Sequence, residues 1–469
     1  MAKRFPRHPQ LVGGFAPLRM EADAPDLEVE GEIPADLNGS FYRNGANPQF
    51  APRGDHHWFA GDGMIHAFHI DNGRVAYRNR WVRTVKWKLE HEAGESLFAP
   101  FNPMASDPRV MGVETDGLAN TNVVWHAGRL LALEEAHAPF EIDPVTLDSI
   151  GPWTFDGKLT GPMTAHPKID AETGEMLFFG YNADGLISEH MSFHVVDRDG
   201  RLVRSESFRA PYAAMVHDFI VTRDHVIFPI MPLTGSMERA MQGAPVYAWE
   251  PEKGNHIGIM PRRGSVADIR WFRGDASYVF HPMNAHSDGD RVVCDVCEFE
   301  QAPLFPHPDG TPGDASKAIP RLTRWTFDLA GNTSDYKSER LHDVACEFPR
   351  LDERRTGLSY RYGFVACDSN PEFRVGGFNG IGRVDHHTGR MEVFDVGAGC
   401  ATNEPIFVPK SPDAPEGVGY VLANVYDDNR KASHLVVLDA ENLADGPLAT
   451  AYLDHRVPFG FHGNWRPAQ

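Results

Sequence analysis

One turn signature returns along the whole chain and constrains its fold more than any other feature. It stands as Asp71-Asn72-Gly73 in HIDNGRVAYRN, Asp170 to Gly174 in IDAETGEMLFFGY, Asp197 to Gly200 in VVDRDGRLVRSESF and Asp385 to Gly389 in RVDHHTGRMEVFDV. Relatives of it occur at Asp143 in EIDPVTLDSIG and Asp439 in VVLDAENL. An alternating β-rich run precedes each turn and another commonly follows, which is the pattern of antiparallel hairpins. The 44 glycines and 36 prolines fit many short strands joined by tight turns. Helical periodicity is scarce, and LTGSMERAMQG, residues 233–243, is its best example. Hairpins repeated without linkers or low-complexity runs predict an all-β chain, a sandwich series or a propeller, read as one domain over 1–469.

Four histidines lie in apolar, strand-like settings far apart in sequence: His166 in MTAHPK, His217 in MVHDF, His281 in YVFHPMNAH and His462 in FGFHGNW. A buried imidazole is costly unless both ring nitrogens are satisfied. Separated strand-borne histidines therefore suggest convergence on one metal, with neutral imidazole nitrogen as ligand. Glu135 in LLALEEAHAPF, Glu347 in ACEFPRLD and Glu404 in TNEPIFVPK could hold the second N–H of such rings. With 23 histidines in the chain, some must fall on apolar strands by chance, where a hydrogen-bonded core residue is the plainer reading. His286 lies five residues after His281, so the two point to opposite faces of a regular strand. Spacing alone leaves the choice between them open. Steps of 51 residues from His166 to His217 and 64 from His217 to His281 match one ligand per four-stranded blade, which favours the propeller.

A net charge of −20 with no basic stretch excludes nucleic acid as a partner and disfavours electrostatic attachment to an anionic membrane. The start, MAKRFPRHPQ, leads into no apolar core of signal-peptide length, and no run approaches the ~20 apolar residues of a spanning helix. The expectation is a cytoplasmic protein. Five cysteines make no disulfide framework, and Cys294 and Cys297 in RVVCDVCEFE read as two buried strand thiols rather than a ligand pair.

The segment HHWFAGDGMIHAFHIDNGRVAYRNRWVRT, residues 56–84, resembles the carotenoid cleavage oxygenase family. Further matches follow in family order over nearly the whole chain: LNGSFYRNGANP, ANTNVVWHAGRLLALEE, TAHPKID, MVHDF, FHPMNA, EFPRLD, NEPIFVPK, APEGVGYVL and RVPFGFHGNW. The resemblance implies a seven-bladed β-propeller, capped on one face by loops and short helices, with a non-haem iron(II) on its axis. It implies His166, His217, His281 and His462 as the ligands, and so chooses His281 over His286. It implies Glu135, Glu347 and Glu404 as supports, and Thr121 in ANTNVV as the residue crowding an open iron position. On its own, Thr121 reads as an ordinary β-branched strand residue. The implied reaction splits an electron-rich alkene with dioxygen into two carbonyl products, without an organic reductant.

Two substrate classes follow from different parts of the resemblance. Members that cleave stilbenes or phenylpropenes hold a phenol with a tyrosine and a lysine, and Phe101 and Glu134 stand at those places here. That loss, with HWFAGDGMIH and RVPFGFHG, leans towards a carotenoid or apocarotenoid. Against it, EPIFVPKSPDAPEGVGY and RRGSVADIRWF resemble the bacterial stilbene and phenylpropene branch. Either substrate needs apolar walls, for which Trp58, Phe59, Phe101, Trp125 and Phe305 are the candidates, with Glu134 beside them. A lipid-like substrate also calls for peripheral membrane contact. Met231, Leu233, Met237 and Met241 recur at near-helical spacing within 229–249 as an exposed apolar patch for it, or else as the core of a short capping helix. Two other classes compete: a calcium propeller hydrolase, whose hard oxygen ligands fit four histidines badly, and a non-enzymatic propeller scaffold with structural histidines.

Overall fold

The structure is a computed structural model that describes residues 3–54, 56–100, 103–370 and 376–468. The chain divides into two compact units, the first made of residues 1–156, 368–383 and 392–469, the second of 157–367 and 384–391. Antiparallel sheets build both, and the expected hairpins are present. Asp71-Asn72-Gly73 joins Gly63–Asp71 to Arg74–Trp81, with Asp71 opposite Arg74. Asn72 and Gly73 both have positive φ, 48° and 79°, as a two-residue hairpin loop with the strands' own twist demands. In the longer turns the aspartate carboxylate takes up backbone N–H groups. Asp170 accepts from Glu172 and Thr173 at 2.9 and 2.8 Å, and Asp197 accepts from Asp199 and Arg201 at 3.0 and 2.9 Å.

In the first unit a five-stranded sheet runs in the order Ala22–Ala24, Arg74–Trp81, Gly63–Asp71, Gly39–Ala46 and Gly463–Pro467. Its last pairing brings residues from opposite ends of the sequence together, with Phe41 opposite Trp465. Side chains of Gly39–Ala46 alternate between two cores. Phe41 packs with Phe68, Leu422 and Leu435, whereas Tyr42 packs with Ile65, Val123 and Phe140. Both faces are covered, which is why SFYRNGA is buried almost throughout. A six-stranded sheet contains Gly419–Asp427 and Ala432–Asp439, and a four-stranded meander runs through Asn122–His126 and Arg129–Leu133.

The second unit repeats the meander. One four-stranded sheet runs Lys168–Ile169, Met176–Gly180, His190–Val196 and Leu202–Arg209. Another runs Ile220–Val221, His225–Ile230, Asn255–Pro261 and Arg270–Gly274. Tyr278–Asp288, Arg291–Phe299, Arg321–Asp328, Lys337–Leu351 and Tyr362–Cys367 then follow in next-neighbour order. Cys294 and Cys297 are buried free thiols on Arg291–Phe299, and burial pushes both pKa values up.

Two helical readings need correction. The longest helix, Val85–Ala93, escaped the periodicity argument because its apolar face is weak, although Thr84 caps it at the Trp87 N–H and Gly94 ends it at φ 70°. In 233–243 only Met237–Met241 is helical. Leu233 instead starts a strand, Leu233–Gly235, paired with Tyr247–Trp249. Met231 and Leu233 are therefore buried, whereas Met237 and Met241 are 42% and 78% exposed, so the four do not form one apolar patch. Among the described residues no helix is long and apolar enough to cross a membrane. Replacing Leu233 with Ala should cost about 2–5 kcal/mol in chemical denaturation. Met241→Ala should change stability by no more than about 0.5 kcal/mol, and equal costs at the two sites would contradict this placement.

Candidate metal centre

In the second unit three of the singled-out histidines meet. His166 lies two residues before Lys168–Ile169, His217 three before Ile220–Val221, and His281 near the start of Tyr278–Asp288. Each of those strands is the edge strand of its sheet. The Nε2 atoms of His166 and His217 are 3.0 Å apart, as are those of His217 and His281. All three residues are buried. Thr164 Oγ accepts the His166 N–H at 3.0 Å, while the Thr164 N–H donates to the Phe179 carbonyl at 2.7 Å. Phe280 meets the His217 ring edge-on at 5.0 Å, and Phe348, at φ 52°, stacks on His281 at 5.4 Å. His286 is not part of this cluster. Strand parity alone does not account for that, because the pairing of Tyr278–Asp288 shifts register around Pro282.

Two of the outward nitrogens face carboxylates. His281 Nδ1 lies 2.5 Å from Glu347 Oε2. An ionised carboxylate only accepts, so the ring proton sits on Nδ1 and the Nε2 lone pair faces its neighbours. His166 Nδ1 lies 3.6 Å from Asp218 Oδ2, whose other oxygen accepts from Lys168 Nζ at 2.8 Å. Burial pushes the Asp218 carboxyl above the usual carboxylate range, with Lys168 opposing it. This pair was missed in the sequence although Asp218 follows His217 directly in MVHDF and Lys168 closes HPK. With the His281 lone pair facing inward, the three converging imidazole nitrogens cannot all be satisfied by each other's protons. They suit a cation that prefers imidazole nitrogen, and that donor set fits a first-row transition metal.

The first unit holds the fourth histidine in the same dress. His462 immediately precedes Gly463–Pro467, again an edge strand. Its Nδ1 is 2.9 Å from Glu404 Oε1, and Glu404 Oε2 accepts the Gly463 N–H at 2.8 Å. The His462 N–H donates to the Thr121 carbonyl at 3.1 Å, while Thr121 Oγ1 donates to Asn120 Oδ1 at 3.0 Å. Strand Gly39–Ala46 organises all of this through two residues that sequence reasoning passed over within SFYRNGANP. The buried Arg43 donates to the Glu404 and Phe461 carbonyls, both at 3.2 Å. Asn44 Nδ2 donates to the Ala119 and Asn122 carbonyls at 2.9 and 2.8 Å.

Glu135 is half-buried just beyond Arg129–Leu133. The Trp58 ring lies 4.5 Å and the Phe59 ring 5.5 Å from Phe461, next to His462 in the chain. Trp125 is half-buried under the Arg466 guanidinium at 4.2 Å. Glu134 pairs with His137. Phe305 is buried beyond Arg291–Phe299. Phe101 lies outside the described residues.

A β-propeller with a group of histidines able to hold a metal is the class that these sheets and side chains define. The family described as retinal pigment epithelial membrane protein matches residues 15–467. An isoeugenol monooxygenase of Pseudomonas putida is 43% identical, with 98% of each chain covered. The crystal structure of Pseudomonas brassicacearum lignostilbene dioxygenase superposes with a TM-score of 0.96 over 100% of each chain, at 36% identity. That of the cobalt-substituted apocarotenoid oxygenase of Synechocystis has a TM-score of 0.86 at 28% identity, over 97% of this chain and 98% of its own. The chain belongs to the carotenoid cleavage oxygenase family and is a double-bond-cleaving oxygenase, for which dioxygen and a conjugated alkene are the reactants.

Competition with a chelator should show metal held about 10–100-fold less tightly in Glu347→Gln and Glu404→Gln. Asp218→Asn should cost less, since its contact with His166 is the longest of the three. His286→Ala should retain full metal affinity. A loss there equal to that of Glu347→Gln would break the assignment.

Proposed function

We propose that this chain is a non-haem iron(II) oxygenase that cleaves the side-chain double bond of a phenolic phenylpropene or stilbene. Residues 1–469 would act as one catalytic domain, with His166, His217, His281 and His462 holding the iron. The observation that carries the metal assignment is that the Nε2 atoms of His166, His217 and His281 converge, 3.0 Å apart in neighbouring pairs, and that His462 has the same carboxylate-backed ring. The substrate class follows the order of similarity: 43% identity to an isoeugenol enzyme and 36% to a lignostilbene enzyme, against 28% to an apocarotenoid enzyme. That order favours the second of the two substrate classes read from the sequence over the first.

Iron(II) bound by these nitrogens would supply dioxygen activation, so that one alkene and one O2 give two carbonyl products. The chain's own residues do the rest. Glu347 and Glu404 hold the protons of His281 and His462 on Nδ1 and present Nε2; Glu135 is proposed to do the same. The Asp218–Lys168 pair supports His166 more loosely. Thr121 fixes the backbone of His462 and is proposed to narrow access to the metal. Trp58, Phe59, Phe101, Trp125, Glu134 and Phe305 are the proposed substrate contacts.

Purified protein should contain about one iron per chain. It should show a kcat/KM at least about tenfold higher for isoeugenol or a 4-hydroxystilbene than for an apocarotenal, a difference of about 1.4 kcal/mol. Product analysis over that panel decides the class. Efficient cleavage of the polyene with inert phenolic alkenes would return the assignment to the carotenoid branch.

A further inference from the structure

The first unit contains a cavity of about 360 Å3 that none of the proposed metal ligands or their carboxylates lines. Lys86 and Glu90 of helix Val85–Ala93 reach it, with Asp62, and its walls include Phe50, Phe98 and His57. Lys86 is 5% exposed. Its Nζ donates to Asp62 Oδ1 at 2.7 Å and to Glu90 Oε2 at 2.8 Å. Burial opposes the ammonium charge, but the two facing carboxylates outweigh it and hold the pKa above the usual lysine value. An ammonium carries three N–H donors. Among the described residues, protein acceptors meet only two of them.

The carboxylates are already engaged. Glu90 Oε1 accepts the N–H groups of Leu97 and Phe98 at 2.8 and 2.9 Å, and Asp62 Oδ2 accepts from the Gln49 N–H at 3.2 Å. Beyond these contacts Lys86 keeps one N–H donor, whose ideal partner is an oxygen acceptor. Asp62 and Glu90 already neutralise Lys86, and Arg53 on the same wall pairs with Asp107, so a neutral oxygen fits better than a further anion. Burial lowers the pKa of His57 to about 4, so its ring is neutral at pH 7. An apolar cavity of about 150 Å3 is large enough for benzene, so this one accommodates a substituted ring.

The turn Trp58–Ala60 has the cavity on one side, through His57 and Ala60. On its other side Trp58 and Phe59 pack on Phe461. Asn120 Nδ2 ties down the same turn by donating to the Phe59 and Gly61 carbonyls at 2.8 and 2.7 Å. Asn120 directly precedes Thr121, whose carbonyl holds the His462 N–H.

We propose that this cavity is a second binding site for a neutral single-ring aromatic carbonyl compound, whose oxygen accepts the third Lys86 N–H. A phenolic aldehyde, one of the two fragments that cleavage of a phenolic alkene releases, has this chemistry. That choice of ligand rests on the proposed function; the site does not. Its occupancy would bear on His462 through the Trp58–Ala60 turn.

The iron-loaded protein would be titrated calorimetrically with 4-hydroxy-3-methoxybenzaldehyde, and backbone hydrogen exchange followed with and without it. Protection is expected in amides of residues 86–98. The 2-methoxyphenol that lacks the carbonyl, the corresponding benzoate and isoeugenol should each bind there at least about tenfold more weakly, the value of one hydrogen bond from a charged donor. In D62N/K86M/E90Q, which removes the charges together and keeps the amide oxygens as acceptors for Gln49, Leu97 and Phe98, the preference for the aldehyde over 2-methoxyphenol should fall to within about twofold. Ala105→Trp, at the exposed rim, should weaken the aldehyde about tenfold with an unchanged melting temperature, and keeps the test open if the triple variant does not fold. Protection confined to other segments, tighter binding of isoeugenol at these amides, or unaltered affinity in Ala105→Trp would overturn the proposal. None of these readouts needs turnover. A protein that binds the aldehyde here but cleaves no phenolic alkene overturns the proposed function alone, and one that cleaves but shows no such protection overturns this site alone.

Discussion

A buried imidazole has two nitrogens and tolerates neglect of neither, and the organisation around the proposed ligands follows from that. A ring that gives its Nδ1 proton to a carboxylate can only accept at Nε2, so the outer carboxylate decides what the inner face can bind. Glu347 does this for His281 at 2.5 Å and Glu404 for His462 at 2.9 Å. His166 differs, since its carboxylate stands 3.6 Å away and is shared with Lys168. The four rings are therefore not equivalent. Of the three carboxylate contacts, that of His166 is the longest.

Much of this was legible in the sequence because its signals were local. The Asp-containing turns carry their own hydrogen-bond chemistry, so Asp71-Asn72-Gly73 or Asp170 to Gly174 can be read without knowing what surrounds them. The histidine motifs were legible for a related reason: each sits at the end of an apolar run, where an edge strand begins. What escaped was information held between distant residues. Asp218 and Lys168 form a pair only after two different sheets have folded, and Arg43 becomes a clamp only when the loops of Glu404 and Phe461 reach it. Helix Val85–Ala93 was missed for the opposite reason. Its local cap was present in Thr84, but it buries Lys86 and Glu90 as well as Trp87, so no apolar stripe announced it. The same inversion misled the reading of 229–249, where methionine spacing suggested one surface but a strand withdrew Leu233 from it.

Motifs alone do not separate the two substrate classes, because the resemblance tied the choice to two positions, 101 and 134. Glu134 is engaged with His137, and Phe101 lies outside the described residues. Overall similarity draws on every position of the chain and is better suited to that question than any single side chain. The framework itself is shared: a TM-score of 0.86 with the apocarotenoid enzyme, beside 0.96 with the lignostilbene enzyme, shows how little backbone change accompanies a change in the substrate that a relative is named for.

The sheet that joins Gly39–Ala46 to Gly463–Pro467 also has a temporal meaning. Arg43 and the Phe461 carbonyl that it holds are 418 residues apart, so His462 reaches its place only after one of the longest-range pairings available to the chain has formed. Contacts of such sequence separation come late, because the entropy of closing the loop must be met before they give anything back. A nascent chain emerging from the ribosome can thus assemble His166, His217 and His281 well before the fourth nitrogen exists. From the making of His281 to that of His462, 181 residues later, such a chain holds three of the four proposed ligands. In the proposed centre the fourth ligand therefore depends on the pairing of Gly39–Ala46 with Gly463–Pro467, whereas the other three do not.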